Sequence, residues 1–217
     1  MCSHFEAVVR AEQLQKYFDV GDPFEPLSAK ADVWPRYDTY FIRAHEFSDV
    51  GDEAVPDREL MIGQFGLVPH WAKETKSKYS TFNARAETVA QLPTFRDAWI
   101  NAQKCIVPVQ AFYEPDWRSG KAIATRFELA SGEPMGIAGL WSRWTDGDRV
   151  LHSFTMLTVN ADKHPLMKNY HRPTEEKRMV VILRPEQYSD WLTADLQRSK
   201  SFMYTYPANE LVIRAPS

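Results

Sequence analysis

Short apolar runs separated by turn residues dominate the pattern of hydrophobic and polar positions along this chain. Runs of this kind, rich in branched and aromatic residues, are typical of β-strands. Turn signals at Ser119-Gly120, Ser131-Gly132 and Asp146-Gly147 separate several of the runs, and Asp-Gly is a strong hairpin signal. The pattern predicts strands at 40–44, 60–68, 104–107, 111–117, 122–129, 135–141, 151–159, 179–183 and 211–214.

Helical spacing of apolar residues is confined to a few short segments. Residues 10–18 and 94–103 carry such spacing, 164–169 is a shorter candidate, and Pro185 opens a helix that runs to about Leu192. No repeat and no linker divides the sequence. Many short strands with a few helices predict a single α+β domain over 1–217, built on a curved, barrel-like, mainly antiparallel sheet with flanking helices.

Composition narrows the class of protein. The 217 residues are 44% hydrophobic and carry a net charge of -3, which excludes wholesale disorder and a globally basic nucleic-acid binder. Two cysteines are too few for a disulfide framework or a complete zinc site, so we expect no metal and no cofactor. No window approaches the length of a membrane span. We therefore expect a protein of the reducing cytoplasm.

The first chemical candidate is Cys2, directly after the initiator Met1. If Met1 is removed, Cys2 carries an α-amine and a thiol on adjacent carbons. The amine can form a Schiff base with an aldehyde, and the thiol can trap the imine as a five-membered thiazolidine. The alternative is that Cys2 lies in a frayed chain end. Cys105, in an apolar run, is expected to be a buried small hydrophobe.

Four further polar residues stand out against their surroundings. Glu114 ends an aromatic strand, where a carboxylate is either exposed or functional. His171 precedes an apolar strand and is either a surface histidine or a proton shuttle. Asn83 and Arg85 lie in a predicted polar loop, where the arginine either binds a phosphate or pairs with Glu87.

Several motifs occur together in a specific order. They are Cys2 at the N-terminus, Phe82-Asn83-Ala84-Arg85-Ala86-Glu87-Thr88, Cys105-Ile106-Val107-Pro108 running into Phe112-Tyr113-Glu114, Ala138-Gly139-Leu140-Trp141, Phe154-Thr155-Met156-Leu157-Thr158, and His171 ahead of Arg178-Met179-Val180-Val181-Ile182-Leu183. In this set the chain resembles the SRAP family, the SOS-response-associated peptidases. The resemblance implies a barrel-like domain that binds abasic sites in single-stranded DNA and crosslinks Cys2 to the sugar aldehyde.

The resemblance also implies roles for single residues. Cys2, Asn83, Glu114 and His171 match the family's active-site positions, and the peptidase label fits removal of Met1. We expect Glu114 to shuttle protons and His171 to protonate the sugar oxygen during ring opening. The expected DNA contacts are Arg85, Trp71, Lys73, Lys76, Lys78, Arg172 and His4, which stands where the family usually has arginine.

Two other functions fit the same residues. Cys2 with His171 and Asn83 could serve an N-terminal-nucleophile or papain-like hydrolase, which acts on a peptide or amide. The basic and aromatic residues could instead belong to a non-covalent single-strand-binding module, although the acidic pI argues mildly against it. The hydrolase predicts turnover without a DNA crosslink, and the binding module predicts that Cys2→Ala keeps full function.

Overall fold

The computed structural model describes residues 2–21, 29–48 and 55–214. Twelve strands are found in these ranges: β1 Phe5–Ala7, β2 Asp32–Val33, β3 Asp38–Ala44, β4 Arg58–Phe65, β5 Asn83–Arg85, β6 Lys104–Asp116, β7 Ile123–Leu129, β8 Met135–Asp146, β9 Arg149–Asn160, β10 Arg178–Val180, β11 Ile182–Leu183 and β12 Leu211–Arg214. The α-helices are α1 Ala11–Phe18, α2 Pro93–Ile100, α3 Tyr188–Thr193 and α4 Leu196–Ser199. Short 3-10 turns occupy Met167–Asn169, Pro185–Gln187, Lys200–Phe202 and Ala208–Glu210.

Five strands close into a ring of backbone hydrogen bonds. Around the ring β8 pairs with β9, β9 with β4, β4 with β3, β3 with β6, and β6 again with β8. Closure is narrow, because β3 meets β6 at the single pair Ile42↔Ile106. Only the contacts of β9 with β4 and β5 are parallel. The prediction of a single α+β domain with a curved, mainly antiparallel sheet is confirmed. The sheet forms a ring of hydrogen-bonded strands but not a complete barrel.

The longest strand, β6, corrects the prediction of two separate strands at 104–107 and 111–117. Pro108 does not end the strand, because its carbonyl accepts a hydrogen bond from the Val8 amide at 3.1 Å. Instead, β6 changes partners along its length: its first half pairs with β8 and its second half with β7. Non-local pairing therefore overrides the local turn signal of a proline.

The two faces of the sheet bury separate apolar clusters. The outer cluster lies under the helices and includes Leu14 of α1, Phe95 of α2 and Trp191 of α3. The inner cluster fills the ring and holds Cys2 and Cys105 together with the phenylalanines of β1, β3, β4, β6 and β9. Each large apolar side chain buried in this way contributes about 1.5–3 kcal/mol. The chain therefore places its N-terminus inside the sheet, against a rigid apolar base.

Other predicted elements are confirmed with small changes. The hairpin at Asp146-Gly147 joins β8 to β9, with Asp146 opposite Arg149. The single strand predicted at 179–183 is divided, since β10 pairs with β9 and β11 with β8. In the part of the chain described, no helix has the length and apolar character that crossing a membrane requires.

Candidate functional site

Cys2 is fully buried and is not part of a frayed end. Its Sγ lies 3.5 Å from the carbonyl oxygen of His4, and that carbonyl also accepts a hydrogen bond of 3.0 Å from the Tyr113 amide. The strand that follows, β1, is held between β2 and β6. The pKa of the Cys2 thiol is raised to about 12, mainly by burial and to a smaller extent by the charge of Glu114. The thiol is therefore protonated at neutral pH and lies within electrostatic reach of Glu114.

Glu114 and His171 form a buried pair. His171 Nδ1 lies 3.3 Å from Glu114 Oε2, and the two side chains are 3% and 1% exposed. The backbone of His171 is held by a hydrogen bond from its amide to the Pro115 carbonyl at 2.9 Å, with a left-handed φ of 65°. The interpretations of Glu114 as an exposed strand residue and of His171 as a surface histidine are both wrong.

Burial determines the protonation of this pair. It raises the pKa of Glu114 to about 7 and lowers the pKa of His171 to about 4, because a charge is disfavoured on either group in an apolar surrounding. His171 Nε2 lies 3.1 Å from the Arg178 carbonyl, which can only accept, so this nitrogen carries the ring proton. Nδ1 is then an acceptor that faces Glu114. Near neutral pH the mobile proton of the pair belongs to the carboxyl group.

Asn83 does not lie in a loop, as the sequence predicted, but begins strand β5, which pairs in parallel with β9. Its Nδ2 donates to the Phe82 carbonyl at 2.7 Å. Its Oδ1 is buried and has no hydrogen-bond partner within the described residues. Phe82 packs against the inner apolar cluster that holds Cys2. A buried acceptor without a partner is costly, which makes Asn83 a candidate to receive a donor from a bound group.

Arg85 lies at the surface end of β5 and is half exposed. Its Nη1 pairs with Glu176 Oε2 at 2.7 Å, so the predicted alternative of a pair with Glu87 is wrong. Glu87 instead pairs with Arg178, a buried arginine that also contacts Glu176. Sequence reasoning missed Arg178, because an arginine that opens an apolar strand gives no signal that its guanidinium is buried.

His4 is enclosed between two aromatic rings. Its imidazole stacks on Trp34 and on Tyr113, each with ring centroids 4.1 Å apart and planes within 12°. Nε2 of His4 also contacts the Asp32 carboxylate, which accepts a hydrogen bond of 3.1 Å from Trp34 Nε1. The stack holds the segment that carries Cys2, and no local pattern predicted that Trp34 and Tyr113 would contact His4.

The other predicted DNA contacts lie at the surface. Trp71 is 52% exposed, and the lysines at 73, 76 and 78 are exposed on the same segment. The Arg172 guanidinium lies 4.8 Å from the ring centre of Trp117. These positions are available to a ligand. No group of three or more histidine, cysteine or acidic side chains in the described residues is arranged to hold a metal ion.

A cleft of about 230 Å³ opens beside this lysine segment. Its lining includes Pro35 and Arg36 from one segment of the chain, and Lys78, Tyr79 and Phe82 from another. Phe82, which lines the cleft, also packs against the inner apolar cluster that holds Cys2, and Asn83 follows it in the chain. Neither Arg36 nor Tyr79 was recognised from the sequence, where both lie in irregular segments.

Solved structures of similar proteins share this fold. A crystal structure of a protein from Bordetella bronchiseptica is 47% identical, covers 100% of both chains and superposes with a TM-score of 0.89. A protein from Bacteroides thetaiotaomicron, 20% identical, covers 98% of this chain and 90% of its own with a TM-score of 0.78. At that identity the second likeness concerns the fold alone.

Curated relatives carry names that refer to abasic sites. The abasic site processing protein YoqW of Bacillus subtilis is 33% identical over 153 residues, which are 68% of this chain and 65% of the relative. The abasic site processing protein HMCES of Gallus gallus is 26% identical over 185 residues, 74% of this chain and 53% of the relative. The chain thus spans less than two thirds of the length of these relatives.

The family model described as SOS response associated peptidase (SRAP) matches residues 1–215, nearly the whole chain. The resemblance seen in the motif order is thereby confirmed. The chain belongs to the SRAP family.

Proposed function

We propose that this protein processes abasic sites in single-stranded DNA by crosslinking its N-terminal Cys2 to the ring-opened sugar. The observation that carries the proposal is that Cys2 is buried and lies within electrostatic reach of Glu114, which contacts His171. The names of the curated relatives, which refer to abasic site processing, support the same substrate class. The proposed protein acts as a monomer with a single domain over residues 1–217, in the cytoplasm and, when it is engaged on DNA, on the nucleoid.

The reaction joins an amine, an aldehyde and a thiol. After loss of Met1, the Cys2 α-amine adds to the C1 aldehyde of the sugar, and water leaves to give an imine. The Cys2 sulfur then bonds to the imine carbon, and its proton passes to the imine nitrogen. The product is a thiazolidine, and one water is released in total. Because the thiol proton moves as the ring closes, no free thiolate needs to accumulate in spite of the raised thiol pKa.

Proton transfer is assigned differently from the expectation drawn from the sequence. His171 is neutral near pH 7, because burial lowers its pKa to about 4. Glu114, with a pKa of about 7, has both protonation states available. We therefore assign Glu114 as the acid that protonates the departing sugar oxygen and as the base that takes the amine proton. His171 holds Glu114 through Nδ1 and acts as its positioning residue.

The remaining residues bind and orient the strand. We assign the Asn83 Oδ1 as the acceptor of an N–H or O–H of the bound sugar or of Cys2, a role supported by its lack of a partner within the described residues. The exposed Lys73, Lys76 and Lys78 supply positive charge for the phosphates, and Trp71 supplies a stacking face, worth about 1–3 kcal/mol per base. Arg85, which also pairs with Glu176, is proposed to orient the strand beside the site together with Arg172 and His4. Removal of Met1 by the protein itself, with Glu114 as the proton carrier, would account for the peptidase label.

Intact mass spectrometry after incubation with abasic single-stranded DNA tests the proposal. The parent protein should begin at Cys2 and gain the mass of the strand less one water. Cys2→Ala should give no heat-stable adduct, and Cys2→Ser at most an imine that borohydride traps.

The matched control is Cys105→Ala, which removes the other buried thiol and should leave the adduct intact. An adduct formed equally well by Cys2→Ala would refute the nucleophile. Turnover of a peptide or amide without any adduct would instead favour the hydrolase, and binding without either reaction would favour the non-covalent module.

A further inference from the structure

The cleft beside the lysine segment has a lining suited to an anion. Arg36 and Lys78 contribute two positive charges to it, and the hydroxyl-bearing residues are Thr75, Ser77, Tyr79, Ser80 and Thr81. The lining includes no aspartate or glutamate, in a chain whose net charge is -3. Cations together with hydroxyl donors, without a competing carboxylate, are the groups that hold phosphate oxygens.

Arg36 is held in a conformation that an arginine rarely adopts. Its φ is 72°, in the left-handed region that favours glycine. The turn is fixed to the end of β4, since the Arg36 amide donates to the Phe65 carbonyl at 2.7 Å and the Phe65 amide donates to the Tyr37 carbonyl at 2.9 Å. A strained residue that its surroundings hold in place at a cleft points to a function for its side chain.

The side chain of Arg36 is available for that function. It is exposed, and within residues 2–21, 29–48 and 55–214 it forms no ion pair. Most other arginines of the site region are already paired, as Arg85 is with Glu176 and Arg178 with Glu87. Tyr79, also part of the lining, is 82% exposed and offers an aromatic face to a ligand.

We propose that the cleft between Arg36 and Lys78 binds a phosphodiester of the single strand next to the abasic nucleotide. This inference rests on the proposed function, and it adds Arg36 as a DNA-binding residue that recognition of the motifs did not provide. The lining of the cleft supports it, because Phe82 both lines the cleft and packs against the apolar cluster that holds Cys2, and Asn83 follows Phe82 in the chain. The Arg36 guanidinium would donate two parallel N–H hydrogen bonds to the phosphate, while Tyr79 stacks on the neighbouring base.

Arg36→Gly is a clean test, because glycine adopts a φ of 72° without strain and the fold should remain intact. The probe is a single strand with a reduced abasic site, which has no aldehyde and cannot crosslink. We expect the dissociation constant to rise about five- to tenfold at low salt, and the salt slope to shrink by about 0.7, the value for one phosphate. Arg36→Lys, which keeps the charge but not the paired donors, should fall between parent and Arg36→Gly.

The control is Lys16→Ala, which removes one charge from the exposed side of α1 and should bind as the parent does. With the reactive abasic strand, Arg36→Gly should raise the half-saturating DNA concentration and leave the maximal crosslinking rate unchanged. Binding and salt slope equal to the parent's, in an Arg36→Gly protein that unfolds at the parent's temperature, would overturn this inference alone. Failure of the parent to bind the strand would overturn it together with the proposed function.

Discussion

Two buried titratable residues, Glu114 and His171, determine what the site can do near neutral pH. Burial favours the uncharged form of each, so the carboxyl group has a pKa of about 7 and the imidazole a pKa of about 4. Such a pair carries one proton over a wide pH range, and that proton resides on Glu114. A carboxylic acid that exchanges its proton near pH 7 is well matched to acid–base work on a sugar aldehyde.

The pH profile of crosslinking follows from this assignment. The rate should rise as the Cys2 α-amine, with an ordinary pKa of about 8, loses its proton. It should fall as Glu114 loses its own proton above a pH of about 7. The maximal rate of the parent should therefore follow a bell-shaped curve with its maximum between about pH 7 and 8.

Glu114→Gln removes the titrating carboxyl group, so the variant should be slow and should retain only the rising limb of the curve. His171→Ala should slow the reaction several-fold but retain the bell-shaped dependence of rate on pH, since the carboxyl group of Glu114 is still present. The measurement is a set of single-turnover time courses with protein confirmed to begin at Cys2. A bell that persists in Glu114→Gln would assign the falling limb to another group.

At the residue scale the sequence identified the candidate site residues, but not their burial, their contacts or their protonation. Cys2, Asn83, Glu114 and His171 were all singled out from their local context. The burial of Cys2 and the contact of Glu114 with His171 depend on residues more than fifty positions apart in the chain, so no local pattern encodes them. The direction of each pKa shift follows from that burial and was therefore beyond sequence reasoning, which assigned the acid role to His171.

At the scale of elements, the ring of strands depends on close contact between β6, β8 and β9. Gly139 of β8 lies opposite Cys105 of β6 and Met156 of β9. A Cβ at this position would lie 2.5 Å from the Thr155 carbonyl oxygen and 2.9 Å from the Cys105 sulfur. Both neighbours are buried and one is backbone, so neither can move away without disturbing the pairing.

Gly139→Ala should therefore destabilise the protein by about 1–3 kcal/mol, the usual cost of overpacking a well-packed core. Urea unfolding followed by tryptophan fluorescence measures the change. Gly21→Ala is the control, since a Cβ there would meet only Pro56, at an ordinary 3.7 Å, and should change the stability by less than about 0.5 kcal/mol. Equal stability of Gly139→Ala and the parent would show that the ring can open at this point without cost.

Elements with a strong local signal were predicted well, and those stabilised by distant pairing were not. The β8–β9 hairpin is encoded by Asp146-Gly147 and was predicted with its turn. Strands β1, β2 and β5 have two or three residues each, too few for a period to be visible. They exist because β6 pairs with β1, β9 pairs with β5, and β1 in turn pairs with β2. These short strands position the N-terminus and Asn83, so the part of the fold that builds the candidate site was the part least visible in the sequence.

At the scale of the whole molecule, charge limits how the protein can hold DNA. A net charge of -3 provides no general attraction to a polyanion, so binding must come from a local patch. The exposed lysines at 73, 76 and 78 lie on the segment that leads to Asn83, and Lys78 lines the same cleft as Arg36. Affinity should accordingly depend on a few phosphate contacts and be moderate in its response to salt.

The salt slope measures this directly. With about four phosphates neutralised, one each by Lys73, Lys76, Lys78 and Arg36, the logarithm of the association constant should fall with the logarithm of salt concentration with a slope of about -3, at about 0.7 per phosphate of a single strand. Joint replacement by alanine of Lys73, Lys76 and Lys78 should bring the slope close to -1, because three contacts are lost. Binding to a strand with a reduced abasic site, measured by fluorescence anisotropy over a range of potassium chloride concentrations, provides the test.

The control removes the same number of charges elsewhere, from the exposed lysines Lys16, Lys163 and Lys200. If binding responds to net charge alone, both triple variants should weaken it equally, and the idea of a local patch fails. If the patch carries the binding, the control keeps the parent's slope while the first variant loses about two thirds of it. A parent slope much steeper than -3 would mean instead that the strand contacts far more of the surface than the lysine segment and the cleft, in spite of the negative charge of the chain.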